Sequence, residues 1–364
     1  MKKAIALSVL SLLAFGMAGL AAQTQESASP WHLLRCLVMI PGISGQEGKV
    51  IEVIQAAIPP ELKPQRDAEN NVWFTAGKGS PHLLFVAHAD ELGFTVAEIT
   101  MLGTVKLKGR AGFLPQVCEA RPFVIHTRTG QVNGILLPRP DFYTQAAQPF
   151  NPETYELYVG ASTDLEARDL GIKEGDQVIF KKAIVDLGPG LMATRAVDDR
   201  AGCAALLAAA LAVDWSRIKD RTITFAWSVE EEIGLFGAQA MASAIKPDYV
   251  FAVDTFVSSD SPLENKRFGY AQIGRGAVLR AIDSSSITPK TVLRKVLRLA
   301  EAKGIPVQVR NSRGGNDGSV FVPAGAVDIP LSWPGAYAHS FIEKIHRRDL
   351  ENLTSLIRAL VTDF

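Results

Sequence analysis

Acidic and imidazole side chains follow several apolar runs of this 364-residue sequence, each close to the point where a run ends. Imidazole and carboxylate groups without thiolate are the ligands typical of Zn²⁺, Co²⁺ or Mn²⁺ at catalytic sites. Several carboxylates converging in one poorly solvated cleft would require cations, because unpaired buried charges are costly. The residues that follow such runs are His88, Asp90, Glu230, Glu231, Glu232, Asp254 and His339, and Asp198 and Asp199 stand just before the apolar run 201–213.

This pattern predicts a site for two metal ions. One carboxylate shared by two ions would hold them about 3.5–4 Å apart, the spacing that activates a bridging water. Each residue also has a plainer interpretation when it is taken alone. His88 would be a buried histidine, Glu230 to Glu232 the solvated start of a helix, and Asp198 a helix cap. Their shared placement at the ends of buried runs favours the metal site.

The elements that must position these residues indicate an α/β fold. The runs with helical apolar spacing are 31–40, 48–57, 201–213 and 289–303. The continuous apolar runs, typical of strands buried on both faces, are 81–88, 222–227, 249–253 and 327–333. Strands that alternate with helices predict a mostly parallel sheet flanked by helices, and ligand sites form at the carboxyl ends of such strands.

The segment 97–190 departs from this alternation. It contains short alternating runs, many glycines and prolines, and little helical periodicity. These features predict a small β-rich domain inserted into an α/β domain that is formed by residues 31–96 and 191–364.

Residues 1–22 have the pattern of a secretory signal peptide. Lys2 and Lys3 precede an uncharged run that ends in small residues, and a polar segment follows it. We expect cleavage near Ala21 or Ala22, an exported protein in the periplasm or the medium, and no stable membrane insertion afterwards. A single transmembrane anchor is the alternative, because the run approaches spanning length.

Composition excludes several classes of protein. A hydrophobic fraction of 47% indicates a globular chain, and equal numbers of basic and acidic residues, 38 each, disfavour a nucleic-acid partner. No glycine-rich phosphate loop joins a strand to a helix. Three cysteines are too few for a disulfide scaffold; Cys203 is expected to be a small buried residue. Whether Cys36 and Cys118 form a disulfide stays open.

The sequence resembles the tetrahedral (glutamyl-type) aminopeptidases, di-metal peptidases of which some members are labelled cellulases. The resemblance extends from HLLFVAHADELGF to the C-terminus and includes AVDDRAG, EEIGLFGA, AVDT, GGND and YAHS in that order. It implies the di-metal exopeptidase fold, an inserted dimerisation domain, and homo-oligomers that range from dimers to twelve-subunit shells. It also implies peptide substrates with a free N-terminus and two divalent ions per subunit, zinc or cobalt, with manganese as a further candidate.

The resemblance also implies the ligands of each metal ion. His88 and Asp254 would hold one ion, and Glu232 and His339 would hold the other. Asp198 would bridge the two ions. These five positions match the motifs of the family residue by residue.

Further roles follow from the same resemblance. Glu231 would be the general base that takes a proton from the bridging water, and Asp90 would orient His88 through its second ring nitrogen. Glu230 stands where the family often has glutamine, so we give it no catalytic role. Asn316–Asp317 replaces the usual Thr-Asp near the substrate channel, a change that concerns specificity rather than chemistry.

Other functions remain as alternatives to a metal-dependent aminopeptidase. The same metal site could serve an N-acyl or deblocking hydrolase. A glycoside hydrolase would instead use two carboxylates about 5–10 Å apart without a metal pair, which leaves the two histidines unexplained. An inactive binding scaffold would lack a ligand or the base, yet all of these positions are filled.

Overall fold

The protein is described by a computed structural model that covers residues 28–112, 115–138, 150–261 and 269–364. The predicted signal peptide, residues 1–22, lies outside the described residues. No helix within them is both long and apolar enough to cross a membrane.

The helices follow the capping signals of the sequence. Ser29 accepts a hydrogen bond from the backbone N–H of His32, and Pro30 occupies the first helical position, so the first helix begins there. The α-helices of the described residues are α1 (Pro30–Leu37), α2 (Gly48–Ala57), α3 (Asp164–Asp169), α4 (Val197–Ala212), α5 (Phe236–Ala244), α6 (Lys290–Ala302) and α7 (Arg347–Asp363).

The strands belong to a large sheet, a barrel and two small sheets. In chain order they are β1 (Gln65–Arg66), β2 (Val72–Gly77), β3 (His82–His88), β4 (Gly93–Ile99), β5 (Val105–Arg110), β6 (Pro122–His126), β7 (Gln131–Leu136), β8 (Glu156–Tyr158), β9 (Gln177–Phe180), β10 (Val185–Gly188), β11 (Leu191–Thr194), β12 (Thr222–Ser228), β13 (Tyr249–Val253), β14 (Phe256–Val257), β15 (Ala277–Ile282), β16 (Val307–Asn311), β17 (Val327–Asp328), β18 (Leu331–Ser332), β19 (Pro334–Gly335) and β20 (Glu343–His346).

The large sheet has the order β1-β2-β12-β3-β13-β18-β15-β16, with β17 beside β13. Strands β12, β3 and β13 form its parallel centre. Strand β2, which the sequence analysis did not identify, adds to β12 in antiparallel orientation, and β15 runs antiparallel to β18. The predicted α/β class with a mostly parallel sheet is confirmed.

Helices cover both faces of this sheet, which explains the continuous apolar character of its central strands. On one face α1, α4 and α7 pack on the sheet in a core that includes Leu34, Leu206 and Leu353. On the other face Met241 of α5 packs in a smaller core with Val86 of β3. Helix α4 is buried along most of its length, and its alanines allow close approach to the sheet.

The predicted inserted β-rich domain is a closed antiparallel barrel with the strand order β4-β5-β8-β7-β6-β9. Its core contains stacked phenylalanines, with the rings of Phe123 and Phe180 4.5 Å apart. The barrel leaves the α/β domain after β3 and returns to it before β11, so its strands lie between two parts of the large domain.

Two boundaries differ from those that the sequence indicates. The barrel strands run from Gly93 to Phe180 rather than over 97–190, because β10 forms a hairpin with β11, which pairs in turn with β20. The predicted strand 327–333 is two short strands, β17 and β18. They are separated at Pro330, which has no backbone N–H to donate.

Candidate metal centre

Three parallel strands bring acidic and imidazole residues to one edge of the large sheet. His88 is the last residue of β3 and is level with Ser228, the last residue of β12. Val253, the last residue of β13, is level with Ala87, so the next residue, Asp254, lies beside His88. The carboxyl ends of these strands therefore meet at one place, as the sequence analysis predicts.

The start of α4 supplies two further carboxylates. Asp198 and Asp199 have non-helical backbone angles, and the peptide bond that joins them is cis. Asp199 is fully buried and accepts hydrogen bonds from the backbone N–H groups of His88, at 3.1 Å, and Gly202, at 3.1 Å. Asp199 therefore fixes the backbone at the end of β3, a role that the sequence analysis did not assign to it.

Asp198 lies between the two histidines. Its Oδ1 is 3.4 Å from His88 Nε2, and its Oδ2 is 3.8 Å from His339 Nε2. His339 Nε2 is also 3.4 Å from Glu232 Oε2. These residues form two groups in which the potential ligand atoms all lie within 4.8 Å of one another. One group is His88, Asp198 and Asp254, and the other is Asp198, Glu232 and His339, so the two groups share Asp198.

Glu231 lies beside these groups. Its Oε2 is 3.9 Å from His88 Nε2, and it forms a third close group with His88 and Glu232. Burial raises the pKa of Glu231 well above its ordinary value, and the charges of Asp254 and Asp317 raise it further. Glu230, the preceding residue, lies outside all three groups; its backbone N–H donates to Glu47 Oε1 at 3.0 Å.

Carboxylates outnumber the positively charged groups at this centre. Burial raises the pKa of Asp254 to about 6 and that of Asp317 to about 7, in both cases with help from neighbouring carboxylates. The pKa of His88 lies well above its ordinary value because surrounding carboxylates outweigh the opposing effect of burial. Asp198 Oδ1 and Glu232 Oε1 are buried and accept no hydrogen bond. Excess carboxylates with free, buried oxygens fit divalent metal ions.

Asp90 contacts several residues of the centre through hydrogen bonds and an ion pair. Its carboxylate accepts hydrogen bonds from the backbone N–H groups of Glu231, at 3.0 Å, and Glu232, at 3.2 Å, and from Ser44 Oγ at 2.6 Å. Its Oδ1 is 3.3 Å from His88 Nδ1. Asp90 thus touches three residues of the centre without facing the space between them. Ser44 carried no sequence signal for this role.

Two buried residues that sequence reasoning missed contact the candidate ligands from outside the centre. The guanidinium of Arg280 is 3.3 Å from Asp254 Oδ2 and donates to Ser332 Oγ at 2.8 Å. Glu343 accepts a hydrogen bond from the backbone N–H of Asp198 at 3.0 Å. Both residues come from strands distant in the chain, and no local motif marks them.

A family model for M42 glutamyl aminopeptidases matches residues 70–356 of this chain. The chain belongs to that family. The predicted recognition of a glutamyl-type aminopeptidase is therefore confirmed, and the M42 enzyme assignment places the protein among the hydrolases.

Known proteins resemble the chain over nearly its whole length. The glutamyl aminopeptidase of Lactococcus lactis is 26% identical over 343 residues, which cover 90% of this chain and 95% of that protein. The structure of the Pyrococcus horikoshii TET1 peptidase superimposes with a TM-score of 0.84 at 32% identity, covering 92% and 100% of the two chains. A Thermotoga maritima structure named endoglucanase gives a TM-score of 0.74 at 26% identity. The match covers 90% of this chain and 96% of that chain.

Proposed function

We propose that this M42 enzyme removes N-terminal residues from peptides at a centre that binds two divalent metal ions. The observation that carries the proposal is the pair of ligand groups that share Asp198, since a shared carboxylate is what a two-metal site requires. Zinc and cobalt suit this imidazole and carboxylate set, and manganese is a further candidate.

The proposed ligands divide between the two groups. His88 and Asp254 would hold one ion, Glu232 and His339 the other, and Asp198 would contact both. When bound, the ions would supply Lewis acidity, which lowers the pKa of water and polarises a carbonyl group. Arg280 and Glu343 would keep Asp254 and Asp198 in place through the contacts described above.

Glu231 is proposed to move the proton in this reaction. Its carboxylate would accept a proton from the attacking water and deliver it to the nitrogen of the leaving peptide. A raised pKa suits this role, because such a base gives the proton up as well as accepting it. Asp90 would keep Glu231 in position by accepting a hydrogen bond from the backbone N–H of Glu231, and it would orient the His88 ring.

Assembly and location complete the proposal. The Pyrococcus horikoshii TET1 peptidase assembles into a tetrahedron or a large octahedral shell, and we propose that this chain also forms homo-oligomers, from dimers upward, through the inserted barrel. We further propose that residues 1–22 direct export and are then removed.

Two neighbouring glutamates allow a matched test. We expect Glu231→Gln to retain bound metal, measured by elemental analysis, and to lose about 10²–10⁴-fold in turnover. Glu230→Gln changes the same chemical group one residue away and should stay near wild-type activity. Mass spectrometry would follow free and N-acetylated forms of the same peptides, with and without a chelator.

Each outcome of that test has a clear meaning. Stepwise loss of N-terminal residues from the free peptides alone, stopped by the chelator, supports the aminopeptidase. Deacylation of the acetylated peptides would replace it with a deblocking hydrolase. Nearly full activity of Glu231→Gln would overturn the assignment of the base. Cleavage of a cellulose oligomer with all peptides intact would favour the glycoside hydrolase.

A further inference from the structure

A pocket of about 560 Å³ lies outside the metal centre, a volume within the range of small-molecule sites. The loop that follows β15 and the segment around β17 form its walls. Asp283 and Asp328 are its buried acidic residues, each less than one-tenth exposed. We call it the Asp328 pocket.

The pocket is separate from the metal centre. Asp328 pairs with Val250 near the start of β13, whereas the metal-ligand candidate Asp254 follows the end of that strand. Four residues of strand correspond to about 13 Å. Buried Arg280 stands between the two sites, with its guanidinium 3.3 Å from Asp254 and 3.9 Å from Asp283.

The two carboxylates of the pocket differ in their partners. Asp283 is fully engaged, because it accepts hydrogen bonds from the backbone N–H groups of Ser285, at 2.9 Å, and Ser286, at 2.7 Å, and from Asn316 Nδ2 at 2.6 Å. Asp328 is 3% exposed, and neither of its oxygens has a hydrogen-bond partner within 3.5 Å, although Ser286 and Asn316 lie near enough to favour its charged form. A buried carboxylate that is only partly stabilised is costly, so a bound cation would stabilise this group further.

The rim of the pocket is apolar and exposed. Ile282 is 43% exposed, Ile287 72% and Val322 40%. Three large aliphatic side chains around one opening form a surface that an apolar ligand would cover. The hydroxyls of Ser285 and Ser286 donate to Asp283, which leaves their lone pairs available as acceptors.

We propose that the Asp328 pocket binds a primary ammonium group carried on a short aliphatic chain, with Asp328 as its anionic anchor and the isoleucines as its apolar wall. The buried Asp328 carboxylate and the serine oxygens match an ammonium group, which only donates hydrogen bonds. A hydrated divalent cation matches less well, because the walls are apolar. All close groups of three or more metal-ligand residues found in the described residues lie at the metal centre instead.

The pocket can be tested with 3-methylbutylamine and its uncharged counterpart, 3-methylbutan-1-ol. Calorimetric titration at pH 8 of the full-length, metal-loaded protein should show a site for the amine that the alcohol does not fill. Burial raises the pKa of Asp328 to about 7, so its carboxylate is mostly ionised at this pH. Asp328→Asn has nearly the same shape and should weaken this site at least tenfold.

Two further variants separate the pocket from the metal centre. Ile287→Ser alters an exposed rim residue, cannot disturb the core, and should weaken amine binding about threefold or more. Glu231→Gln should leave amine binding at the Asp328 pocket unchanged. Failure of the ammonium-site proposal can therefore be distinguished from failure of the proposed peptidase reaction. Amine binding unaffected by both Asp328→Asn and Ile287→Ser, or wild-type protein that binds the amine at the metal centre alone, would overturn the proposal.

Discussion

Two buried clusters of charged residues in this molecule differ in how their negative charge is neutralised. At the metal centre, carboxylates outnumber the cationic groups of the chain, and some of their oxygens are unpaired. At the junction between barrel and sheet, Glu91 is surrounded by Lys182 at 2.6 Å, Arg200 at 3.7 Å and Arg195 at 3.8 Å. We call these four residues the junction cluster.

The pKa values of one carboxyl group from each cluster, Glu91 and Glu231, are shifted in opposite directions. Burial alone would raise the pKa of Glu91, yet the charges of Lys182, Arg200 and Arg195 hold it below its ordinary value. At the metal centre the pKa of Glu231 is raised instead, because burial and other carboxylates act together. The junction cluster is neutralised from within the chain, whereas the candidate metal centre has more carboxylates than cationic groups of the chain and is proposed to bind cations.

The contacts of the junction cluster indicate its structural role. Lys182 follows the last barrel strand and donates to the carbonyl of Ile40 at 3.0 Å. Arg200, in α4, donates to the carbonyls of Leu37 at 2.8 Å and Ala89 at 2.7 Å. The cluster thus joins the barrel exit, the end of α1 and the end of β3, which positions the metal centre relative to the barrel.

The largest effect on stability is expected from Glu91→Gln. This change removes the carboxylate that lies beside three buried cations. Arg195 keeps Glu343 at 3.4 Å, but Lys182 and Arg200 lose the carboxylate that neutralises them, which costs about 3–5 kcal/mol. The measurement is the shift in the urea unfolding midpoint of the metal-free protein at pH 7.

The same chemical change at the metal centre is the control. Glu231→Gln removes a carboxylate from a cluster with too many, so the metal-free variant should lie within about 1 kcal/mol of the wild type or above it. If the two substitutions cost the same, the contrast between the clusters is wrong.

Metal binding should give the next largest effect. An ion at 100 times its dissociation constant stabilises a folded protein by about 2.7 kcal/mol, which for a chain of this length corresponds to a rise in Tm of roughly 3–5 °C. Melting curves of chelator-treated protein with and without added zinc would measure it. Asp198→Ala, which removes the shared ligand, should lose most of the rise. An unchanged Tm in the wild type would contradict the metal assignment.

The sequence predicted the central part of the site because strand ends carry it. His88, Glu232 and Asp254 each stand at or soon after the end of an apolar run, and parallel strands align such ends. His339 stands several residues beyond the end of its apolar run, in a loop where no periodic pattern fixes its position, so its role as a ligand rests on the family resemblance. Its φ of 61° and its contact with the carbonyl of Gly112 arise only in the folded chain.

The groups that neutralise or position the site could not be predicted in the same way. Arg280 lies in a strand whose apolar run was not recognised, and it reaches Asp254 from 26 positions further along the chain. Arg195 and Glu343 meet only after β11 pairs with β20. Long-range pairs of this kind leave no periodicity in a single sequence, so the predicted site contained candidate ligands without the residues that contact them.

The smallest expected effect concerns His126, at the end of β6 beside the junction cluster. Burial lowers the pKa of His126 to about 4. The charges of Lys49 and Lys182 lower this pKa further, whereas the charge of Glu91 raises it. The buried Nε2 of His126 has no hydrogen-bond partner. The unfolded chain binds this proton near pH 6.5, so the folded state loses stability as pH falls from about 6.5 to about 4. Because the ring is only about half buried, solvent screening limits the loss to roughly 1 kcal/mol. His126→Gln should remove that loss, seen as a smaller drop in Tm between pH 7 and pH 4.5 than in the wild type. Identical pH profiles would show that the junction cluster accepts another cation without cost.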